Sequence, residues 1–183
     1  MCDLNIETKK QLTVGSMFAG IGGICLAFQQ NGCNLIWANE IDKYACKTYR
    51  LNFGNEHLVE GDIQKINSKS VPNFDILTAG FPCQAFSSVG LLQGFNDPRG
   101  NLFFETARII NATKPKVLFL ENVANLVKHD DGITFGVILK TLNDLGYYIR
   151  YKVMNAKEYG NIPQQRNRIY IVAFRYKEHL NKF

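Results

Sequence analysis

The sequence predicts an α/β fold in which a mostly parallel sheet carries helices on both faces. Two observations lead to this prediction. Short runs rich in β-branched and aromatic residues alternate with segments of helix length, and these runs are mostly apolar rather than alternating. Continuous apolar strands are typical of sheets buried on both faces, and their alternation with helices favours parallel pairing. With 183 residues and 46% hydrophobic content, we expect residues 1–183 to form a single domain with a substantial core.

Seven strands and four helices are predicted in order along the chain. The strands are expected at residues 12–18, 35–39, 57–59, 74–78, 117–120, 147–154 and 169–174, and the helices at residues 23–31, 43–53, 102–113 and 133–145. Asp42 is a suitable N-cap residue for the second helix, and Gly146 is a suitable stop after the fourth. The interval 81–101 is rich in Gly, Pro and Ser without periodicity, which is typical of an active-site lid or a binding loop.

Composition and charge limit the classes of protein to which the chain can belong. No apolar stretch reaches the length of a membrane span, and the polar start is unlike a secretory signal peptide. The five cysteines include no C-x-x-C pair and lie far from the three histidines, so we predict neither disulfides nor a metal site and expect a reducing cytoplasm. A formal net charge of +5 suits a polyanionic partner, but it is also common in proteins that bind none.

Three short motifs follow the first three predicted strands. They are F-A-G-I-G-G at 18–23, an acid at Glu40, and the pair Gly61-Asp62. The glycine motif is not the dinucleotide fingerprint G-x-G-x-x-G, while an acid about 20 residues later is typical of ribose recognition. Tight turns with two solvated acids are the alternative. Together the motifs favour a nucleoside ligand at the carboxyl edge of the sheet, and S-adenosylmethionine suits them better than ATP because no phosphate-cradling lysine is near.

Cys83 follows the fourth strand between Pro82 and Gln84, which is an unusual place for a core cysteine. It is either a small residue at a turn or a nucleophile at the same edge of the sheet. The thiolate is the reactive form of cysteine, and nearby positive charge lowers a thiol pKa. Arg99, Arg166 and Arg168 lie in segments able to reach this edge.

Two further features point to acid–base or anion chemistry at this edge. Glu121 follows five mostly apolar residues, so it is expected to be half-buried at a strand end, where burial favours a protonated carboxyl that can donate a proton or hydrogen bond. A simple strand-end cap is the alternative. Arg166 and Arg168 point the same way if the segment is extended, which suits an anion or a carbonyl oxygen. A solvent-facing basic hairpin stem is the alternative there.

With these motifs the chain resembles the catalytic region of the bacterial DNA (cytosine-5) methyltransferases. The blocks that carry the resemblance are F-A-G-I-G-G at 18–23, N-E at 39–40, G-D at 61–62, G-F-P-C-Q at 80–84, R-G-N-L-F-F at 99–104, E-N-V at 121–123 and P-Q-Q-R-N-R at 163–168. The resemblance implies a Rossmann-like methyltransferase fold. It also implies transfer of a methyl group from S-adenosylmethionine to carbon 5 of a flipped-out cytosine in double-stranded DNA, through a covalent cysteine adduct, in a restriction-modification system.

The resemblance also implies a role for individual residues. Cys83 is similar to the nucleophile, Glu121 to the acid on the cytosine ring nitrogen, and Arg168 to the arginine on the base carbonyl, with Arg166 beside it. Cofactor contacts are expected from Phe18 (adenine), Glu40 (ribose hydroxyls) and Asp62 (adenine amino group), and from Ala19, Gly20, Gly22, Gly23, Asn39, Ile41, Ile63, Pro82 and Leu102. Substrate contacts are expected from Gln84, Ser87 and Arg99, of which the last two match the loop that closes over DNA.

Family members usually continue beyond the P-Q-x-R-x-R block into a target-recognition region and a final helix. Because the chain ends at Phe183, we expect that region to be absent. One subunit of a two-chain enzyme, a truncated gene product and an excised catalytic half are all compatible with this expectation. Two other functions stay open: an inactive member that binds S-adenosylmethionine or a partner, and a methyltransferase acting on transfer RNA.

Overall fold

The computed structural model describes residues 10–82 and 102–183, which form one seven-stranded mixed sheet with flanking helices. The strands are β1 (Thr13–Met17), β2 (Asn34–Glu40), β3 (Leu58–Glu60), β4 (Ile76–Ala79), β5 (Val117–Val123), β6 (Tyr148–Asn155) and β7 (Asn167–Phe174). The helices are α1 (Gly23–Gln30), α2 (Lys43–Phe53), α3 (Leu102–Thr113), α4 (Ile133–Asp144), α5 (Ala156–Tyr159) and α6 (Lys177–Asn181). Within these ranges no helix is long and apolar enough to cross a membrane.

The strand order is β3-β2-β1-β4-β5-β7-β6, with parallel pairing from β3 through β5 and antiparallel pairing of β7 with both β5 and β6. The chain winds outwards from β1 to β3 and then returns to β4 on the other side of β1. In open parallel sheets a crevice forms beyond the carboxyl ends of the strands where the winding reverses. The topology therefore predicts a ligand crevice beyond the carboxyl ends of β1 and β4.

Helices cover both faces of the sheet because successive strand residues point to opposite sides. On one face α1 and α2 pack over β1, β2 and β4, and its core includes Val14, Cys25, Leu35, Tyr49 and Ile76. On the other face α3 and α4 pack over β1, β4, β5 and β7, and its core includes Met17, Leu77, Phe103, Ile110, Leu118, Ile138 and Leu142. The predicted α/β fold with a mostly parallel sheet and helices on both faces is confirmed.

Local signals placed most helix ends correctly. The α2 and α3 ranges agree with the predicted ones, and the Asp42 carboxylate caps α2 by accepting hydrogen bonds from the backbone N–H groups of Tyr44 and Ala45 at 2.9 and 2.7 Å. Gly146 follows α4 with a φ of 86°, a left-handed conformation that suits glycine at a helix end. The short helices α5 and α6 were not predicted, because four or five residues are too few to show periodicity.

The end of β5 was predicted wrongly. The apolar pattern predicted a strand ending at residue 120, but β5 continues to Val123 because β7 pairs with it, with Glu121 opposite Tyr170 and Val123 opposite Arg168. For the same reason β7 begins at Asn167, two residues before the predicted start. The antiparallel partner thus extends both strands through polar residues, and it brings the P-Q-Q-R-N-R block alongside the E-N-V block.

Candidate functional site

The turn after β1 is built from residues in left-handed backbone conformations. Phe18, Gly20 and Gly22 have φ values of 52°, 57° and 96°. A Cβ on Gly22 would lie 2.1 Å from the Phe53 ring, so close packing of α2 also requires glycine there. At Gly20 nothing lies within 4 Å of a Cβ position, so this backbone faces open space. The turn therefore presents bare backbone at the carboxyl edge, with the half-buried Phe18 ring beside it.

Glu40, at the end of β2, ties this turn to the sheet. One carboxylate oxygen accepts a hydrogen bond from the Gly20 N–H at 2.8 Å, and the other accepts from the N–H groups of Ile41 and Asp42, both at 2.8 Å. The residue is only 9% exposed. A buried carboxylate requires hydrogen bonds to its charged form, and these three N–H groups supply them. Glu40 is thus held rigidly with one side of its carboxylate towards the turn.

Asn39 connects the same turn to β3. Its side-chain amide donates hydrogen bonds to the backbone carbonyl oxygens of Val59 and Gly61 at 3.0 and 2.9 Å. Its backbone carbonyl accepts a hydrogen bond from the Ala19 N–H at 3.0 Å. The residue is 1% exposed, so its role within this structure is to hold the three strand ends together. The predicted cofactor residues after β1, β2 and β3 are therefore neighbours, although they are far apart in the sequence.

Asp62 begins the turn that follows β3. Its Oδ1 accepts a hydrogen bond from the Gln64 N–H at 3.0 Å and caps the 3-10 turn Ile63–Lys65. Asp62 itself is half-buried, while the Ile63 side chain is buried in the core. A ligand in the crevice could therefore reach Ile63 only through its backbone. Ile41, which follows Glu40, is 63% exposed and offers an apolar surface on the other side of the carboxylate.

A second group of residues meets beyond β4, β5 and β7. The guanidinium Nε of Arg168 lies 2.8 Å from a carboxylate oxygen of Glu121, and both side chains are about one-fifth exposed, at 21% and 20%. The other Glu121 oxygen would lie 3.4 Å from a Cβ on Gly80, so the carboxylate sits against the backbone that follows β4. Glu121 is half-buried as predicted, but the sequence did not indicate that it forms an ion pair with Arg168.

Asn122 anchors the backbone that follows β4. Its side-chain amide donates to the Phe81 carbonyl at 2.8 Å, and its amide oxygen accepts from the Val123 N–H at 2.8 Å. Asn122 is 3% exposed, and Phe81 is buried against Phe103 with 5.4 Å between ring centroids. Sequence reasoning missed this role, because the predicted strand ended at residue 120 and the contact depends on how β4 and β5 are aligned.

The remaining predicted residues are less closely tied to the two groups. Gly23 and Pro82 are exposed and Leu102 is half-buried at the start of α3. Arg166 is exposed one residue before β7, where its backbone exchanges hydrogen bonds with Asn155 and Ala156. The predicted residues Cys83, Gln84, Ser87 and Arg99 lie outside the described ranges.

The two groups are joined through the centre of the sheet, because β1 and β4 pair in parallel with Met17 opposite Ala79. Beneath this junction the Thr78 hydroxyl donates to the Ser16 hydroxyl at 2.9 Å in the buried core. The carboxyl edge thus offers a carboxylate, exposed backbone and apolar surface on one side, and a carboxylate–guanidinium pair on the other. Hydroxyl and amino groups of a nucleoside match the first side, and a polar planar base matches the second. Among residues 10–82 and 102–183, no three His, Cys, Asp or Glu side chains are grouped to hold a metal ion.

Comparison with known proteins identifies the family. The sequence pattern of the C-5 cytosine-specific DNA methylases matches residues 12–183. The chain belongs to this family. The curated members that it resembles include the Type II methyltransferase M.Bsp6I of Bacillus sp. (strain RFL6), 54% identical over 174 residues, and M.HhaI of Haemophilus parahaemolyticus, 48% identical over 182 residues. These matches cover 94% and 97% of the chain, but 55% of each relative. The chain therefore spans about half the length of these methylases.

Solved structures support the fold of this C-5 cytosine-specific methylase chain. Schizosaccharomyces pombe Dnmt2 methyltransferase superposes with a TM-score of 0.72 over 91% of the chain and 50% of that protein, at 22% identity. A putative DNA modification methyltransferase from an Escherichia coli prophage gives a TM-score of 0.72 over 93% of the chain and 48% of that protein, at 23% identity. At these identities the likeness establishes the methyltransferase fold.

Proposed function

We propose that the chain is the cofactor-binding and bond-making part of a DNA (cytosine-5) methyltransferase that acts on double-stranded DNA. The observation that supports this proposal most directly is the Glu121–Arg168 ion pair beside Gly80, at the start of the G-F-P-C-Q block. An acid and a guanidinium side by side match the ring nitrogen and the carbonyl oxygen of a cytosine. The relatives with 54% and 48% identity are named Type II methyltransferases, which supports a role in a restriction-modification system.

The residues beyond β1, β2 and β3 fit S-adenosylmethionine. Glu40 keeps a rigid carboxylate whose remaining lone pairs can accept hydrogen bonds from ribose hydroxyls. The Asp62 carboxylate can accept a hydrogen bond from the adenine amino group. Phe18 and Ile41 provide apolar surface for the adenine ring, and the Gly20 backbone leaves room for close approach. When bound, this cofactor supplies a methyl group on a positively charged sulfur. The contacts of Ala19, Gly22, Gly23, Asn39, Ile63, Pro82 and Leu102 with it are part of the same proposal.

The proposed chemistry uses Cys83 as the nucleophile. Its thiolate adds to carbon 6 of the flipped-out cytosine, while Glu121, acting as a carboxylic acid, donates its proton to the ring nitrogen and Arg168 donates a hydrogen bond to the carbonyl oxygen. The addition breaks the aromaticity of the ring and turns carbon 5 into a nucleophile that takes the methyl group. A base then removes the proton from carbon 5, the bond from sulfur to carbon 6 breaks to regenerate the thiolate, and the ring nitrogen returns its proton to Glu121. Covalent catalysis of this kind replaces one difficult step by easier ones.

Glu121 and Arg168 must divide their hydrogen bonds between each other and the base. Arg168 uses its Nε for Glu121 and its Nη1 for the Asn167 carbonyl at 2.9 Å, and none of residues 10–82 and 102–183 bonds its other terminal nitrogen, which can therefore donate to a base carbonyl. Glu121 uses one oxygen for Arg168, and the other lies near Gly80, beside the chain that leads to Cys83. The pair can therefore hold a base without first being broken. Gln84, Ser87, Arg99 and Arg166 are proposed to contact the DNA around it.

We further propose that a segment equivalent to the second half of the relatives completes the site, on the same or another polypeptide. One face of β5, β7 and β6 carries a mostly apolar cavity of about 670 Å³ lined by Phe119, Met154, Tyr170 and Val172, with Arg150 and Lys152 at its side. An exposed apolar surface of this kind normally marks the place where another segment or protein packs, so a cover is expected there. In this proposal the same segment reads the DNA sequence, since base reading requires contacts that phosphate-binding residues cannot supply.

Trapping on modified DNA tests the proposed function. The chain is mixed with the second half of M.HhaI, S-adenosylmethionine and a duplex containing 5-fluorocytosine, whose fluorine cannot be removed as a proton. We expect a covalent protein–DNA band on a denaturing gel from the wild type and none from Cys83→Ser. Cys33→Ser is the matched control, because Cys33 lies between the end of α1 and the start of β2, away from the carboxyl edge, and it should trap DNA like the wild type.

Equal trapping by Cys83→Ser would remove Cys83 from the role of nucleophile. A companion filter-binding assay measures tritiated methyl transfer by each polypeptide alone and by both together. Transfer only in the mixture supports a split between bond-making and DNA-reading parts. Sequence-specific transfer by the 183-residue polypeptide alone would refute that split, while leaving the proposed chemistry intact.

A further inference from the structure

Arg108 on α3 makes an unusually complete set of hydrogen bonds to a segment more than 40 positions earlier in the chain. Its Nη1 donates to the Ile66 carbonyl at 3.0 Å and its Nη2 to the Ile63 carbonyl at 2.8 Å. Its Nε donates to Glu105, one turn earlier on α3, at 2.8 Å. The side chain is 30% exposed, so most of it is enclosed by these partners. Neither the sequence motifs nor the proposed chemistry gives Arg108 a role.

The segment that Arg108 holds has little other regular structure. Between the end of β3 at Glu60 and the start of β4 at Ile76, it contains only the two 3-10 turns Ile63–Lys65 and Ser68–Ser70. Asp62 and Ile66 lie at the two ends of the first turn, and the Ile63 carbonyl also accepts from the Ile66 N–H at 3.2 Å. Short 3-10 turns have poor hydrogen-bond geometry, so their position depends on anchors from elsewhere.

Helix α3 provides a rigid base for this anchor. Phe103, Ala107, Ile109 and Ile110 are fully buried, which fixes the helix against the sheet. Glu105 pairs with the guanidinium and orients it, so that both terminal nitrogens face the turn. A planar guanidinium with several fixed donors can hold two carbonyl groups at once, which a lysine ammonium does less well. The geometry therefore locks the turn that starts at Asp62 to a buried helix.

We propose that Arg108 is a positioning residue that holds Asp62 at the correct place to recognise the adenine amino group of the cofactor. This inference rests on the proposed function, which places adenine beside Asp62. A site built to hydrogen-bond an amino group discriminates against a ligand that lacks it only while the acceptor is held in place. Without the Arg108 anchor the turn can move, and the Asp62 carboxylate is no longer held where the adenine amino group lies. A cofactor with this amino group then gains little over an analogue that lacks it. The specific effect is therefore on adenine selectivity rather than on binding in general.

The experiment compares Arg108→Met and Arg108→Lys with the wild type, in the presence of the M.HhaI half used for trapping. Arg175→Met is the matched control, because Arg175 also donates to a backbone carbonyl, that of Lys114 at 2.9 Å, but does so away from the carboxyl edge. Dissociation constants are measured for S-adenosylmethionine and for its analogue with purine in place of adenine. Hydrogen exchange is measured on the same proteins without ligand, with attention to the amides of residues 64–66.

We expect the wild type and Arg175→Met to prefer S-adenosylmethionine over the purine analogue by about tenfold or more, the order expected for one hydrogen bond to a charged acceptor. Arg108→Met should lower this preference at least about threefold and speed exchange at residues 64–66, leaving the buried strands protected. Arg108→Lys should keep part of the preference for S-adenosylmethionine and part of the slow exchange at residues 64–66. An unchanged preference, or faster exchange throughout the protein, would overturn the inference. A wild type that binds the cofactor without any preference would overturn it together with the proposed place of adenine, whereas no binding at all would refute the proposed cofactor.

Discussion

Asp75 is predicted to stabilise the sheet at the edge opposite the candidate site. Its Oδ2 accepts hydrogen bonds from the backbone N–H and the hydroxyl of Thr13, both at 3.0 Å, and its Oδ1 lies 2.7 Å from the Lys116 ammonium. These contacts join the starts of β1, β4 and β5. The Lys116 ammonium, followed by the Thr13 N–H, lowers the pKa of Asp75 from its ordinary 3.8 to about 2.

The size of the effect follows from this shift. A difference of about 1.8 pKa units corresponds to at most about 2.4 kcal/mol, since one unit is about 1.36 kcal/mol. Lys116 is more than half exposed, so solvent screens part of its attraction, and we expect about 1–2 kcal/mol. Asp75→Asn keeps the shape of the side chain and removes its charge. At pH 7 it should lower the free energy of unfolding by this amount.

The pH dependence gives the prediction its sign. Because the folded pKa lies below the unfolded value, the charged Asp75 stabilises the fold fully above about pH 4, and this contribution is lost as the pH falls towards 2. Urea unfolding of the wild type and of Asp75→Asn at pH 7 and at pH 3 measures it. The difference between the two proteins should be clearly smaller at pH 3.

Asp144→Asn is the matched control. Asp144 pairs with Lys140 at 2.6 Å, but both side chains are mostly exposed, at 58% and 76%. An exposed pair on a helix is expected to contribute no more than about 0.5 kcal/mol. A loss in Asp144→Asn as large as that in Asp75→Asn would show that side-chain charge as such is responsible. The same loss in Asp75→Asn at both pH values would refute the assigned role of ionised Asp75.

Two further predictions concern the carboxyl edge. Glu40→Ala should weaken S-adenosylmethionine binding by about 1–3 kcal/mol in calorimetry, the order of hydrogen bonds to a charged acceptor, while exposed Glu56→Ala should not, and equal affinity of Glu40→Ala and wild type would place the cofactor elsewhere. Gly22→Ala should lower the free energy of unfolding by about 2–4 kcal/mol in urea, because its Cβ would meet Phe53 at 2.1 Å in a left-handed conformation, and adding Phe53→Leu should recover part of this loss.

Local sequence signals were sufficient for most of the fold. The Asp42 cap and the glycine at 146 each act within a few residues, so the chain near them contains the whole physical cause. The grouping of Gly20, Glu40 and Asp62 could also be predicted, but for a different reason: the carboxyl ends of parallel strands lie at one edge of the sheet whatever the pairing register. What the sequence predicts well is therefore set either by near neighbours or by topology alone.

Features that depend on strand register could not be predicted in this way. The Glu121–Arg168 pair exists because β7 lies antiparallel to β5 with Val123 opposite Arg168, and a shift of one residue would turn Arg168 to the other face. The Asn122 bond to the Phe81 carbonyl depends likewise on how β4 and β5 are aligned. These contacts link residues more than 40 positions apart, and no pattern within either segment encodes them.

The two acids of the site are held in ways that match different proposed tasks. Glu40 is fixed by three backbone N–H groups, none of which can turn away, so its carboxylate is suited to a ligand that must sit in one place during the reaction. Glu121 is held by the side chain of Arg168, whose donors can be redistributed when a base enters. A carboxylate that must change its hydrogen bonds as charge develops on a ring benefits from such a partner. Rigidity beneath the proposed cofactor and exchangeable contacts around the proposed base both suit the methyl transfer that we propose for this site.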